Sequence, residues 1–277
     1  AAVAVLKALL PRVQSLDPQA FGNSLYALHR MSSDEPVVRT FLSKLAHLGD
    51  SFDAPLNAQE LSNCFFGLQN MDSRHAEVVA LLKILNKKLA QFQSLPSDHP
   101  VKRHPRLGVF SAQGVGNSLS GLQTMAIEDS DEVRISVGLL ADAAESCTDY
   151  MKPKDIGNAL FGLQNMDCNT EEVRAVLDII LQKMRQCSEG EHGTNGDGGS
   201  SSDSSGGSGG GNDADVYTVR DIGYCLSGLS SMPRLVYSEV DELLEELNVK
   251  ITKSSLAGVP DLTFLQYGKR IKVRIGR

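Results

Sequence analysis

Tryptophan is absent and aromatic residues make up only 5% of the chain, which leaves few side chains for a large stacking platform. Cysteine is scarce: Cys64, Cys147, Cys168, Cys187 and Cys225 form an odd set with no CxxC pair. That pattern indicates neither a disulfide framework nor a zinc site, and small packing residues in a reducing compartment are expected. No apolar run is long enough to span a bilayer, since the opening AAVAVLKALL is interrupted by Lys7 and followed by Pro11. No signal peptide is visible, and the first residue is not methionine. The opening segment aligns with the second half of a repeat, so the chain reads as a piece of a longer array or a processed form. Enzymatic groupings are also missing. Six scattered histidines, no phosphate loop, no metal-ligand spacing and no Ser/His/Asp arrangement argue against an enzyme. No cofactor, metal, membrane or small-molecule substrate is implied.

Positive charge is not in excess either. The formal net charge is −7, and residues 188–215 carry six acidic side chains with no Lys or Arg, leaving the remainder near −1. The acidity belongs to one inserted stretch.

What the chain does have is a fivefold repetition. FGNSLYALHRM (21–31), LSNCFFGLQNM (61–71), VGNSLSGLQTM (115–125), IGNALFGLQNM (156–166) and IGYCLSGLSSM (222–232) share one pattern. The third letters fall at Asn23, Asn63, Asn117, Asn158 and Tyr224, spaced by 40, 54, 41 and 66. A basic period near 40 with two insertions is the mark of a repeat array. Each copy is followed by a second amphipathic segment, as in HAEVVALLKILNKKLAQF (75–92). Two helices per period predict an all-α fold: an α-solenoid of stacked helical hairpins with two inserted loops.

The array spans 1–259, with units near 1–16 (partial), 17–50, 55–93, 109–150, 152–187 and 216–256. Front helices are expected near 18–31, 58–71, 112–125, 153–166 and 218–231. A Pro-containing basic insertion occupies 94–107. A Gly/Ser-rich acidic insertion at 188–215 is too polar to bury anything and is expected to be disordered. The segment 260–277 ends in alternating apolar and basic residues, as an exposed strand or hairpin does, and reads as a C-terminal extension or the start of another module.

Two stripes run along each front segment. Leu61, Phe65, Leu68 and Met71, with their counterparts in the other copies, share one apolar face for the core. Gln59, Asn63, Gly67 and Asn70 stand at i, i+4, i+8 and i+11, polar except for one tiny residue. Glycine inside a helix costs about 1 kcal/mol relative to alanine, so its recurrence implies a close approach to the backbone. Either the stripe packs on a neighbouring helix, or it lines a concave groove that reads a polymer. The invariant slot, Asn23, Asn63, Asn117 and Asn158, suits a structural or backbone-contacting role. The slot at Arg30, Asn70, Thr124, Asn165 and Ser231 varies among hydrogen-bonding side chains, as base reading requires, with His29, Gln69, Gln123 and Gln164 as adjacent partners. An ordinary solvated face is the competing reading.

QAFGNSLYALHRMS, QELSNCFFGLQNMD and KDIGNALFGLQNMD resemble the front helix of the octotricopeptide repeat family, of the type Q-x-L-A-N-x-L-W-A-L-A-x-L-G. The Gln or Lys, the Asn and the Leu match in register. Tyr26, Phe66, Ser120, Phe161 and Ser227 stand where that family has Trp, which makes the resemblance divergent. It implies an organellar RNA-binding protein of chloroplast or mitochondrion, acting in transcript stability, processing or translation. Related organellar repeat proteins also serve as structural subunits of ribosomes or other complexes.

Single-stranded RNA is therefore the expected partner, with phosphate contacts from Lys102, Arg103 and Arg106 in the first insertion and from Lys269, Arg270, Lys272 and Arg274 at the end. A near-neutral groove of Asn and Gln suits a protein-binding scaffold as the alternative.

Overall fold

The computed structural model describes residues 2–189, 217–230, 232, 238–253, 262–266 and 269–273; for 187–189, 238–239, 251–253 and both strands only the backbone is described. Ser231, Arg274 and nearly all of the acidic insertion lie outside the described residues. No helix among them is long and apolar enough to cross a membrane, and no cluster of side chains there could hold a metal ion.

Apolar spacing and capping chemistry make the elements helical. They are α1 (Ala2–Leu9), α2 (Pro18–Tyr26), α3 (Pro36–Ser51), α4 (Ala58–Phe66), α5 (Ala76–Ser94) and the short α6 (Pro100–Arg103). There follow α7 (Ala112–Ser120), α8 (Asp131–Glu145), α9 (Pro153–Gly162), α10 (Glu171–Glu189), α11 (Val219–Ser230) and α12 (Ser238–Lys253). Among the described residues the regular structure is helical apart from a terminal hairpin, β1 (Leu262–Gln266) antiparallel to β2 (Lys269–Val273), in which Thr263 pairs with Lys272 and Leu265 with Arg270.

The front helices α2, α4 and α7 start on side-chain caps. Asp17 accepts from Ala20 N at 2.7 Å, Asn57 from Glu60 N at 2.9 Å and Ser111 from Gly114 N at 3.0 Å. At α4 the Glu60 carboxylate accepts in return from Asn57 N, a reciprocal box that satisfies two orphan donors. Each such cap contributes about 1 kcal/mol.

The helices pack in two series. One runs α2 on α4, α4 on α7, α7 on α9 and α9 on α11; the other runs α1 on α3, then α3, α5, α8, α10 and α12 in turn. Between the series lies one continuous core that includes Phe21, Leu25, Leu61, Phe65, Leu119 and Leu160. Cys64, Cys147, Cys168 and Cys225 are buried. Burial pushes the Cys64, Cys147 and Cys225 thiols up, as it does for any group whose charged form loses water.

The second series carries its own polar clamps. Asn86, almost fully buried, donates to Glu132 O and accepts from Ser136 Oγ at 2.7 Å. The Lys88 ammonium donates to Phe52 O and lies over the Phe52 ring, 4.0 Å from its centre.

The recurrent glycine explains how closely the front helices approach. A Cβ on Gly67 would lie 2.1 Å from Leu25 O, on Gly121 1.9 Å from Phe65 O, on Gly162 2.1 Å from Leu119 O, and on Gly228 2.1 Å from Leu160 O. In every junction, backbone meets backbone. Ala27, the counterpart in α2, has no earlier front helix against it among the described residues and is exposed.

Candidate nucleic-acid interface

The first four front helices are shorter than their apolar spacing suggests. Regular α-helix ends at Tyr26, Phe66, Ser120 and Gly162, and the next residues form tighter i to i−3 bonds: His29 N to Tyr26 O, Leu68 N to Phe65 O, Gln123 N to Ser120 O and Gln164 N to Phe161 O. Gly67 has φ −61° and ψ −17° and Gly121 φ −61° and ψ −22°, the narrower helical geometry. This corrects the expected extents of these helices. It also takes Arg30, Asn70, Thr124 and Asn165 off the α-helical stripe that holds the Asn slot.

These residues have other work. Asn70 Nδ2 donates to His29 O at 2.7 Å; Thr124 Oγ1 donates to Met71 O at 2.8 Å; Asn165 Nδ2 donates to Gln123 O at 2.8 Å. The adjacent slot behaves alike. Gln123 Nε2 donates to Gln69 O at 3.0 Å, Gln164 Nε2 to Gln123 O at 3.1 Å, and Gln69 Nε2 to Ser120 Oγ at 3.3 Å. Carbonyls at a helix end lack intrahelical partners. Units two, three and four therefore cap the end of the preceding front helix through Asn70, Gln123, Thr124, Gln164 and Asn165, whereas Gln69 reaches forward to a hydroxyl of the next unit. Variation among Asn and Thr, which the sequence offers as a reading code, is what a capping donor permits. His29 Nδ1 lies 2.8 Å from Tyr26 O, and Arg30 is exposed.

The opposite, N-terminal half of the front row is arranged differently. Gln19, Gln59 and Gln113 are exposed, Asn63 and Asn117 half-buried, and none of these five donates a side-chain hydrogen bond to protein. Asn117 Oδ1 accepts from Asn158 Nδ2 at 3.4 Å, so neighbouring copies of the slot lie within reach of one another. A cleft of about 450 Å³ between α4 and α7 presents Gln59, Asn63, Gln113 and Asn117 together with Arg106 and Asp149. A second of about 240 Å³ between α2 and α4 presents Gln19, Asn23 and Glu60, and shares Gln59 and Asn63 with the first. Burial raises the Glu60 carboxyl above its ordinary range. Lys154 and Arg220 occupy the Gln position in α9 and α11 and are exposed, so this edge becomes basic toward the C-terminal end.

The aromatic slot is occupied by its own neighbours. Tyr26 stacks on Phe66 at 5.5 Å, and Phe161 stacks on Tyr224 at 4.9 Å. Arg220 donates to Tyr224 Oη at 3.0 Å. Only Tyr26, 45% exposed, offers a broad free surface among these rings.

Of the expected phosphate contacts, Lys102 is tied down: its ammonium lies 3.8 Å from the Phe92 ring centre, and burial lowers its pKa. Arg103 is exposed and Arg106 borders the cleft. Lys269, Arg270 and Lys272 lie on β2, where only the backbone is described.

Gln59 and Gln113 were legible in the sequence only as the first members of the polar stripe. Asp149, from the loop before α9, carried no signal there at all. No family model matches the chain, and neither a curated protein nor a solved structure does.

Proposed function

We propose that the chain is an α-solenoid of hairpins repeating about every 40 residues, related to the octotricopeptide repeats, that binds single-stranded RNA across the N-terminal half of its front-helix row. The observation carrying this reading is the adjoining pair of clefts lined by Gln and Asn side chains that make no protein hydrogen bond as donors, with Arg106 at the edge. Amides pair with base edges and ribose hydroxyls; guanidinium pairs with phosphate. An organellar setting, with action on transcript stability, processing or translation, follows from the resemblance.

The near-neutral array predicts contacts mainly to bases and a shallow salt dependence. Anisotropy of a labelled single strand at stated salt tests the proposal. Joint substitution of Gln59→Ala and Gln113→Ala is expected to weaken binding at least ten-fold, and Asn70→Ala to leave it within two-fold. Absence of binding at low salt would remove the reading. A second reading, a scaffold that holds a protein segment or sits in a ribosomal assembly, is favoured by the carboxylates of Glu60 and Asp149, which repel phosphate.

A further inference from the structure

The first insertion is built, not merely attached. Leu107 O accepts from Ala58 N at 3.0 Å, pinning it to the first turn of α4. A Cβ on Gly108 would lie 2.1 Å from Lys102 O, so the backbone folds back on itself there. His104 Nδ1 accepts from Arg106 N and Leu107 N, each at 3.2 Å, and Lys102 sits on Phe92. Held this way, Pro105, Arg106 and Val109 wall one side of the cleft between α4 and α7.

The wall changes what the cleft can hold. Pro105 and Val109 supply apolar surface, and Val109 is 53% exposed. Four amides, one guanidinium and one carboxylate complete the lining. A volume of about 450 Å³ is within the range of small-ligand pockets, roughly 300–1,000 Å³. Apolar face, hydrogen-bonding edge and anion together describe a nucleotide.

The carboxylate selects among bases. Ionised Asp149 only accepts, and its Oδ2 is engaged just loosely, at 3.4 Å from Ala112 N. Guanine alone among the RNA bases offers two adjacent N–H donors on its pairing edge, with O6 beside them to accept from an amide. Adenine and cytosine place an acceptor next to their amino group, and uracil sets its single donor between two acceptors. A carboxylate facing those edges meets a lone pair.

We propose that this cleft is a guanine-nucleotide subsite taking one base of the bound strand, with Asp149 on the guanine edge and Arg106 on phosphate; the inference rests on the RNA-binding reading above. The test is anisotropy of the full chain with four labelled ten-nucleotide strands that differ only in one central base, at one fixed salt. The guanine strand is expected to bind about ten-fold more tightly than the other three, as a good bidentate contact allows. Asp149→Asn is expected to erase that preference, bringing the ratio of guanine-strand to other-strand affinity to within two-fold of one. Guanosine monophosphate is expected to compete for the unmodified chain better than adenosine monophosphate, which needs no variant to fold. Equal binding of all four strands, with neither mononucleotide favoured, would overturn the guanine subsite and leave strand binding standing. Failure of every strand to bind would remove both.

Discussion

Replacing Gly121 by alanine puts a methyl group 1.9 Å from Phe65 O and 2.5 Å from Phe65 C, both backbone atoms that cannot rotate away. The two helices must part by more than 1 Å to reach ordinary contact near 3.5 Å, and a gap of that size forfeits roughly a quarter to a half of the dispersion attraction across it. Overpacking of this kind costs about 1–3 kcal/mol, against about 1 kcal/mol gained from the better helix former. These two contributions leave a net loss of up to about 2 kcal/mol, to which the stretched carbonyl caps of this junction add. Gly223→Ala is the control: an added Cβ there meets nothing within 4 Å, so the change is expected to stabilise by up to about 1 kcal/mol. Urea unfolding followed by circular dichroism gives the two midpoints. Hydrogen exchange of α4 and α7 then shows whether the loss sits at that junction. If Gly121→Ala stabilises the protein as much as Gly223→Ala does, the backbone-to-backbone packing described for the front row is wrong.

Three further outcomes follow from the geometry. Asn165→Ala and Thr124→Val are each expected to cost about 1 kcal/mol of unfolding free energy, as the loss of a cap does, without weakening RNA binding in an anisotropy assay. Cys64 and Cys225 should resist iodoacetamide in the native protein and react only when the chain unfolds, which mass spectrometry of labelled peptides reads directly. The hydrogen bonds from Arg74 hold the Asp72 carboxyl at about 2, below its ordinary value. Being lower in the folded state, that pKa gives a contribution fully present above about pH 4 and lost as pH falls toward 2. Carboxylate titration by NMR should show Asp72 moving back toward the ordinary range in Arg74→Ala; the effect on stability is small because the pair is exposed.

How far the sequence reaches can be judged residue by residue. The apolar positions Leu61, Phe65 and Leu68 stand at helical spacing and recur in every copy, so helix-on-helix packing was legible. So was the close approach at Gly67, Gly121, Gly162 and Gly228, although not that the approaching group is the Leu or Phe carbonyl of the helix before. The end of the α-helix at Phe66 was not legible. Nothing in the local sequence marks it, because Gly67 keeps a negative φ and the tightening answers a neighbour in space. At Asn70, Thr124 and Asn165 the same short polar side chains suit a base edge and a helix-end carbonyl, so the carbonyl contacts were not legible from residue type alone. Asp149 and Leu107 reach the front row only through tertiary folding, by contacts to Ala112 and Ala58 far along the chain.

The central claim is that a strand lies on the Gln and Asn edge of the front row. Ultraviolet crosslinking of a thiouridine-substituted single strand, mapped by peptide mass spectrometry, tests it most directly. Crosslinks are expected within 57–63, 103–109 and 111–117, next to Gln59, Arg106 and Gln113. A bound strand crosslinking instead to the back-series helices α3, α5 and α8 would contradict it.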